Sequence, residues 1–300
     1  MIIEIRKETE KDYFDTEKMV RESFWNKYQP GCNEHYMVHV MRKNKAWLPE
    51  LSRIAAVDGE IAGVIMYFES KIKKADGSEV KVASFGPLCV TRKYRTMGIG
   101  KKLMAETLPL AKTAGYPGVL IIGEPDYYPK AGFIRCKDRE ITDAKGNAWD
   151  PYMVYEFEKD GMQIPGVMEE PYDITDGIPQ VPPEDYESQF EVWNRASLPC
   201  QFMYPNPCDE NNGYHLKREE ENPAGFDTLY AKLENGVKGE AIRKEQTNHG
   251  FIIENGNRNI GMCVISTESE KPLVTHIWLE EEFRGKGIEE DIKGTLAKQN

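Results

Sequence analysis

The chain has 300 residues and a formal net charge of −11, enough length for two cores and the wrong sign for the basic stripes that a nucleic-acid backbone needs. Hydrophobic residues make up 40% and charged residues 30%, the composition of a folded soluble protein. No stretch nears the roughly 20 apolar residues of a membrane span.

The N-terminus, Met1 to Glu8, carries an acid at its fourth position and no apolar run, so no secretory leader is expected. Ile2–Arg6 alternates as a short strand, and Glu10–Phe24 places Tyr13, Phe14, Met19, Val20 and Phe24 on one helical face. A second helix is expected around Glu34–Arg42. Arg53–Val57 and Ile61–Phe68 flank Asp58-Gly59-Glu60 and read as a hairpin. After the loop Lys73–Glu79 comes a strand, Val80–Val90, then a glycine loop and a helix from about Gly98 to Ala114, stopped by Gly115. Val119–Ile122 is a compact apolar strand, Tyr127–Ala131 a turn, and strands follow near Phe133–Cys136 and Tyr152–Phe157. From Asp160 to Asp185 prolines, glycines and acids dominate, as in a linker or an arm laid over the surface. A helix is expected again near Tyr186–Ala196.

The last third resembles the first. Ile5 to Glu10 parallels Leu216 to Glu221, Phe14-Asp15-Thr16 recurs as Phe226-Asp227-Thr228, and Ile61 to Ile65 has a counterpart in Asn259 to Cys263. Val90–Ile99 lines up with Leu279–Ile288. Matches in the same order at several separate places predict an internal repeat. The expected domains are 1–160, a linker over 161–185, and 186–300.

Histidines and cysteines carry little signal. The six cysteines (Cys32, Cys89, Cys136, Cys200, Cys208 and Cys263) include no Cys-x-x-Cys, so neither a disulfide framework nor a zinc site is expected, and a reduced, cytoplasmic compartment is. His35 and His39 can share a helix face at i and i+4, but no residue completes a ligand set, and no metal is expected.

The chemistry concentrates in residues 84–133. The strand Ser84–Val90 runs into Arg92, Lys93 and Arg95, then Gly98-x-Gly100, then a helix with Lys101 and Lys102 in its first turn. The first four amides of a helix lack internal partners and carry the positive end of its dipole, so this is a ready anion site. A dinucleotide fold needs a third glycine where Leu103 stands, and the P-loop pattern is absent. Arg95-x-x-Gly98-x-Gly100, behind Pro87-Leu88-Cys89-Val90, resembles the signature of the GNAT superfamily of acetyl-CoA-dependent N-acetyltransferases. Gly123-Glu124-Pro125-Asp126-Tyr127-Tyr128-Pro129-Lys130-Ala131-Gly132-Phe133 is similar to the superfamily's Tyr-x-x-x-Gly-Phe element. The resemblance covers about residues 1–160.

It implies an α+β fold with a mixed central sheet flanked by helices, and acetyl-CoA as the acyl donor. The strand Leu88-Cys89-Val90 would bind the pantetheine arm through the amides of Leu88 and Val90. Amides along Arg95, Thr96, Met97, Gly98, Ile99, Gly100 and Lys101 would hold the pyrophosphate. Tyr128 matches the tyrosine beside the coenzyme sulfur. Many relatives carry a glutamate on the strand before the loop, but Ser84–Val90 has no carboxylate; Glu124 is the substitute base, with Asp126 second. The acceptor would be an amine of a small molecule or peptide, attacking the thioester directly. A non-catalytic acyl-CoA-binding sensor or scaffold is the alternative, and transfer of a longer acyl group stays open. Neither nucleic acid nor membrane is an expected partner, and the sequence leaves room for a homodimer.

In the second copy Arg284 and Gly287 align with Arg95 and Gly98, but Glu289 replaces Gly100. Glu280, Glu281, Glu282, Glu290 and Asp291 surround it. The copy ends soon after and has no counterpart to Tyr128. It is expected to be a truncated, degenerate half that binds no coenzyme.

Overall fold

The computed structural model describes residues 1–125, 127–196, 198, 201, 214–219, 223–233, 247–255, 258–269 and 272–297. The chain divides into two compact units: Met1–Ser23 with Asn33–Glu187, and Phe24–Cys32 with Ser188–Asn300.

In the first unit, β1 (Ile3–Arg6), β2 (Arg53–Val57), β3 (Glu60–Lys73) and β4 (Glu79–Val90) follow one another as antiparallel neighbours. The β2–β3 turn is made by Asp58 and Gly59 at φ 50° and 89°, the two positive values that let a two-residue turn match strand twist. The sheet continues through β5 (Gly118–Ile122), β8 (Tyr152–Glu156) and β6 (Ile134–Arg135). On the other edge of β3 lies β9 (Gly166–Glu169), paired in turn with β7 (Ile141–Thr142). Helices α1 (Tyr13–Phe24), α2 (Glu34–Met41) and α3 (Ile99–Thr113) precede and follow these strands, and a short α4 (Glu184–Glu187) closes the unit. The mixed sheet with flanking helices is the expected α+β architecture.

Alternation along the strands makes two cores. Ala83, Phe85, Val119 and Ile121 share one cluster with Ile99, Leu103, Met104, Leu108 and Ala111 of α3. Val82, Leu120 and Val154 share another with Ile72, Cys136, Ile141, Met162 and Met168. The period of two in the strands, set against 3.6 in the helix, accounts for both.

Two expectations fail here. Part of the expected linker, Gly166–Glu169, is a strand of this sheet. A Cβ on Gly166 would lie 2.5 Å from the Lys73 carbonyl oxygen, an approach to the β3 edge that only glycine permits. The helix expected over Tyr186–Ala196 is confined to its first residues. Beyond them the backbone of the second unit serves other groups: Asn194 O accepts from Trp25 Nε1 and Asn26 Nδ2, each at 3.0 Å, and Asn26 Oδ1 accepts from the Ala196 amide at 3.0 Å.

The second unit holds β10 (His215–Arg218), α5 (Pro223–Leu233), β11 (Asn248–Asn255), β12 (Arg258–Ser266), β13 (Leu273–Leu279) and α6 (Ile288–Ala297). Its four strands are antiparallel in chain order. Phe251, Ile253, Cys263 and Ile265 lie on one face with Ile288 and Ile292. Ile252, Met262 and Val264 lie on the other with Phe226, Leu229 and Tyr230 of α5.

Candidate active site

Strands β4 and β5 run parallel, and their pairing is confined to Ala83 with Val119 and Ser84 with Leu120. Beyond that point they part, β4 staying with β3 and β5 with β8. The register of β4 on β3 slips by one residue between Phe85 and Leu88, a bulge that bends β4 and resets which groups face sideways. The Thr91 amide donates to Ala62 O at 2.9 Å. Because antiparallel partners alternate, Cys89 then turns its main chain toward β3, while Leu88 and Val90 turn theirs into the gap. Cys89, between them, offers the gap no main-chain group; its thiol donates to Met19 Sδ at 3.8 Å.

The loop after β4 is a scaffold of positive-φ residues. Thr96 stands at φ 68° and Gly98, the N-cap of α3, at 76°. Left-handed backbone costs a side chain roughly 1–2 kcal/mol, so Gly98 is there for its φ; a Cβ on it would meet nothing. The amides that open α3 are left for an external acceptor. The Arg95 guanidinium does not join them. Its Nε donates to Val90 O at 3.1 Å and its Nη2 to Ser23 O at 3.3 Å, so it fixes the loop to its own strand. Lys93 pairs with Glu60 at 2.7 Å, which raises the pKa of its ammonium through that hydrogen bond. Met97 is exposed, Ile99 is buried in the core, and Lys101 and Lys102 are exposed on the first turn.

At the end of β5, Glu124 is half-buried and its carbonyl accepts from the amides of Tyr127 and Tyr128, at 3.1 and 3.2 Å. Tyr128 is buried, edge-on to Phe133 at 5.3 Å and tilted to Phe85 at 6.0 Å. A Cβ on Gly123 would fall 2.2 Å from the Tyr128 ring, so that glycine admits the ring. Asp126 lies outside the described residues. One group escaped the sequence reading: Tyr127 is 39% exposed, and its hydroxyl oxygen stands 3.1 Å from where a Cβ on Gly100 would be. No local pattern marks which of two adjacent tyrosines reaches toward the loop.

Helices α1 and α2 are joined to α4 by a buried ionic network. Arg21 donates to Glu187 at 2.8 Å, Arg42 to Glu8 at 2.7 Å and also to Glu17, and the Tyr186 hydroxyl to Glu17 at 2.9 Å. His35 bonds Glu187 at 2.8 Å and His39 bonds Glu17 at 3.1 Å, so each histidine of the i, i+4 pair has its own acid. Burial holds the His35 pKa below its usual value against the opposing pull of Glu187. Burial pushes Glu187 up, but the hydrogen bonds from His35 and Arg21 outweigh it and leave the carboxyl below its usual range. Among the described residues no group of three or more His, Cys, Asp or Glu side chains is placed to hold a metal ion.

The second unit repeats the loop geometry in its own terms. Arg284 Nε donates to Leu279 O at 2.8 Å, as Arg95 does to Val90. The Glu280 amide donates to Ile260 O at 2.8 Å, as Thr91 does to Ala62. Gly285 and Gly287 stand at φ 69° and 86°, close to Thr96 and Gly98. The first turn of α6, however, carries Glu289, Glu290 and Asp291.

Residues 18–135 match the model of the acetyltransferase (GNAT) family, a span that runs from α1 through the gap and the glycine loop to β6. Residues 18–135 thus carry a GNAT acetyltransferase domain, about two-fifths of the chain. Similar proteins include the uncharacterized N-acetyltransferase YjhQ of Escherichia coli K12, 24% identical over 149 residues that cover 50% of this chain and 78% of the relative. The uncharacterized N-acetyltransferase YhbS of the same strain is 27% identical over 112 residues, 35% of this chain and 64% of the relative. The crystal structure of E. coli YhbS in complex with CoA superposes with a TM-score of 0.50 at 22% identity, covering 60% of this chain and 96% of that one. That likeness shows the GNAT fold. Among the described residues no helix is long and apolar enough to cross a membrane.

Proposed function

We propose that residues 1–160 transfer an acetyl group from acetyl-CoA to the amine of a small molecule or peptide. The observation that carries this reading is the pairing of two features at one end of the sheet. The amides of Leu88 and Val90 face the gap, and beside it the loop Arg95–Lys101 leads into the first amides of α3, which have no partner within the helix. An extended pantetheine arm fits the first as an added strand and a diphosphate fits the second. The YhbS structure, which carries CoA, supports the same donor.

In this reading the acceptor ammonium gives one proton to Glu124, and its nitrogen attacks the thioester carbonyl. The C–N bond forms, the C–S bond breaks, the departing thiolate takes the proton of the Tyr128 hydroxyl, and the second proton lost by the acylated nitrogen restores that hydroxyl. Glu124 later returns its proton to solvent. A phenol of pKa about 10 donates to a thiolate of about 8.5 only when held in place, and the packing of Tyr128 among Gly123, Phe85 and Phe133 holds it.

The second unit we read as a non-catalytic copy of the first, and the described cysteines Cys32, Cys89, Cys136 and Cys263, which are not in disulfides, fit a reduced, cytoplasmic setting. A coenzyme-binding sensor is the second reading, favoured by the lack of any carboxylate along Ser84–Val90. Free-thiol release from acetyl-CoA, assayed across polyamines, amino acids, aminoglycosides and peptides, separates the two. Turnover with at least one amine, lowered on the order of 100-fold by Tyr128→Phe with coenzyme affinity nearly unchanged, supports the transferase. Binding of acetyl-CoA with no amine acetylated would establish the sensor instead.

A further inference from the structure

Tyr127 reaches from the end of β5 toward the other wall of the gap. Its hydroxyl lies beside the first turn of α3: the position of a Cβ on Gly100 is 3.1 Å from Tyr127 Oη and 3.9 Å from Val90 Cγ2. Gly100 does not need its glycine for φ, since it has none of the positive values found at Thr96 and Gly98. It needs it for space. A Cβ there would press on the phenol, which would have to give by a few tenths of an ångström.

The ring itself is fixed edge-on to Tyr128, with centroids 5.0 Å apart. Its hydroxyl makes no hydrogen bond with a described residue. Burial raises the phenol pKa, so the group stays a proton donor across the physiological range. The O–H thus joins the amides that open α3, and the helix dipole adds to their positive potential. Donors gathered around one space are matched by an anion rich in oxygen.

We infer that Tyr127 is a coenzyme-binding residue whose phenol donates a hydrogen bond to a diphosphate oxygen of CoA, across the gap from the amides of the glycine loop. This rests on the coenzyme reading given above and adds to it a contact from the opposite wall. It also gives the adjacent tyrosines separate duties, Tyr127 at the phosphates and Tyr128 at the sulfur.

Tyr127→Phe removes the hydroxyl and keeps the ring on Tyr128. Isothermal titration with CoA should show roughly tenfold weaker binding, the scale of one hydrogen bond to a charged acceptor, and KM for acetyl-CoA should rise in step. Phosphorus NMR of bound CoA should show the diphosphate resonances displaced between the Tyr and Phe proteins and the 3′-phosphate resonance unmoved. Unchanged or tighter binding by Tyr127→Phe would overturn the inference, as would diphosphate resonances identical in the two proteins. If the unmodified protein binds no CoA, the coenzyme reading itself falls and this inference with it.

Discussion

Gly123 governs where the Tyr128 phenol can sit. Its missing side chain leaves the space that the Tyr128 ring fills, and a methyl group there would lie 2.2 Å from a ring carbon. The ring has no easy retreat, because Phe85 and Phe133 hold its other sides. Overpacking of this kind costs about 1–3 kcal/mol, so Gly123→Ala should lower stability by that amount in urea unfolding. It should also lower kcat, because the hydroxyl moves with the ring. A loss of stability with kcat intact would show that the position of Tyr128 does not matter to turnover. The proposed role of Tyr128 rests on its spacing to Gly132-Phe133, which is a sequence motif. The reach of Tyr127 was not, since it depends on how the short turn after β5 rotates two neighbouring rings. The direction of the Leu88 and Val90 amides follows from strand parity, but only once the bulge before them is counted.

At the scale of elements, the strands and helices around the gap were readable because each carries its own periodicity and its own turn. The network that joins α1, α2 and α4 was not, because its partners are far apart in the chain: Arg21 and Glu187 are separated by 166 residues. A sequence window sees Glu187 as one more acid in a polar arm. In the structure it neutralises Arg21, whose side chain is 3% exposed. Glu187→Ala would leave that guanidinium buried without this partner, and about 3 kcal/mol of stability should be lost, as read by thermal unfolding at pH 7.5. The neighbouring pair of His35 and Glu187 predicts an acid limb. His35 has a folded pKa below the unfolded value near 6.5, so in the window between the two the unfolded chain binds more protons and stability rises with pH. Above about pH 6.5 its contribution is complete, and it fades as pH falls toward the folded pKa. His35→Gln keeps a hydrogen-bonding group for Glu187 but cannot titrate. The difference in Tm between the unmodified protein and this variant should therefore shrink as pH drops from 7 to 5. A difference independent of pH would show that His35 does not titrate with folding.

Across the whole molecule, β10 to β13 follow one another as antiparallel neighbours as β1 to β4 do, and both units return an arginine Nε to the carbonyl five residues before it. They differ where the chemistry would be. In the first unit the helix after the loop opens with Ile99, Gly100, Lys101 and Lys102; in the second it opens with Ile288, Glu289, Glu290 and Asp291. Carboxylates in a first helical turn are favourable to the dipole, so α6 loses nothing in stability by carrying them. They satisfy the positive end that a diphosphate would otherwise use, and they repel it. Conservation of the backbone frame and reversal of the charge therefore predict one coenzyme per chain. Titration with CoA should give a stoichiometry of one, and Gly100→Glu, which writes the second loop's acid into the first, should abolish it. Glu289→Gly should leave both stoichiometry and affinity unchanged, because the first site alone sets them. Two equivalents of CoA bound by the unmodified chain, or residual binding at full stoichiometry in Gly100→Glu, would mean that the acidic turn does not exclude the diphosphate.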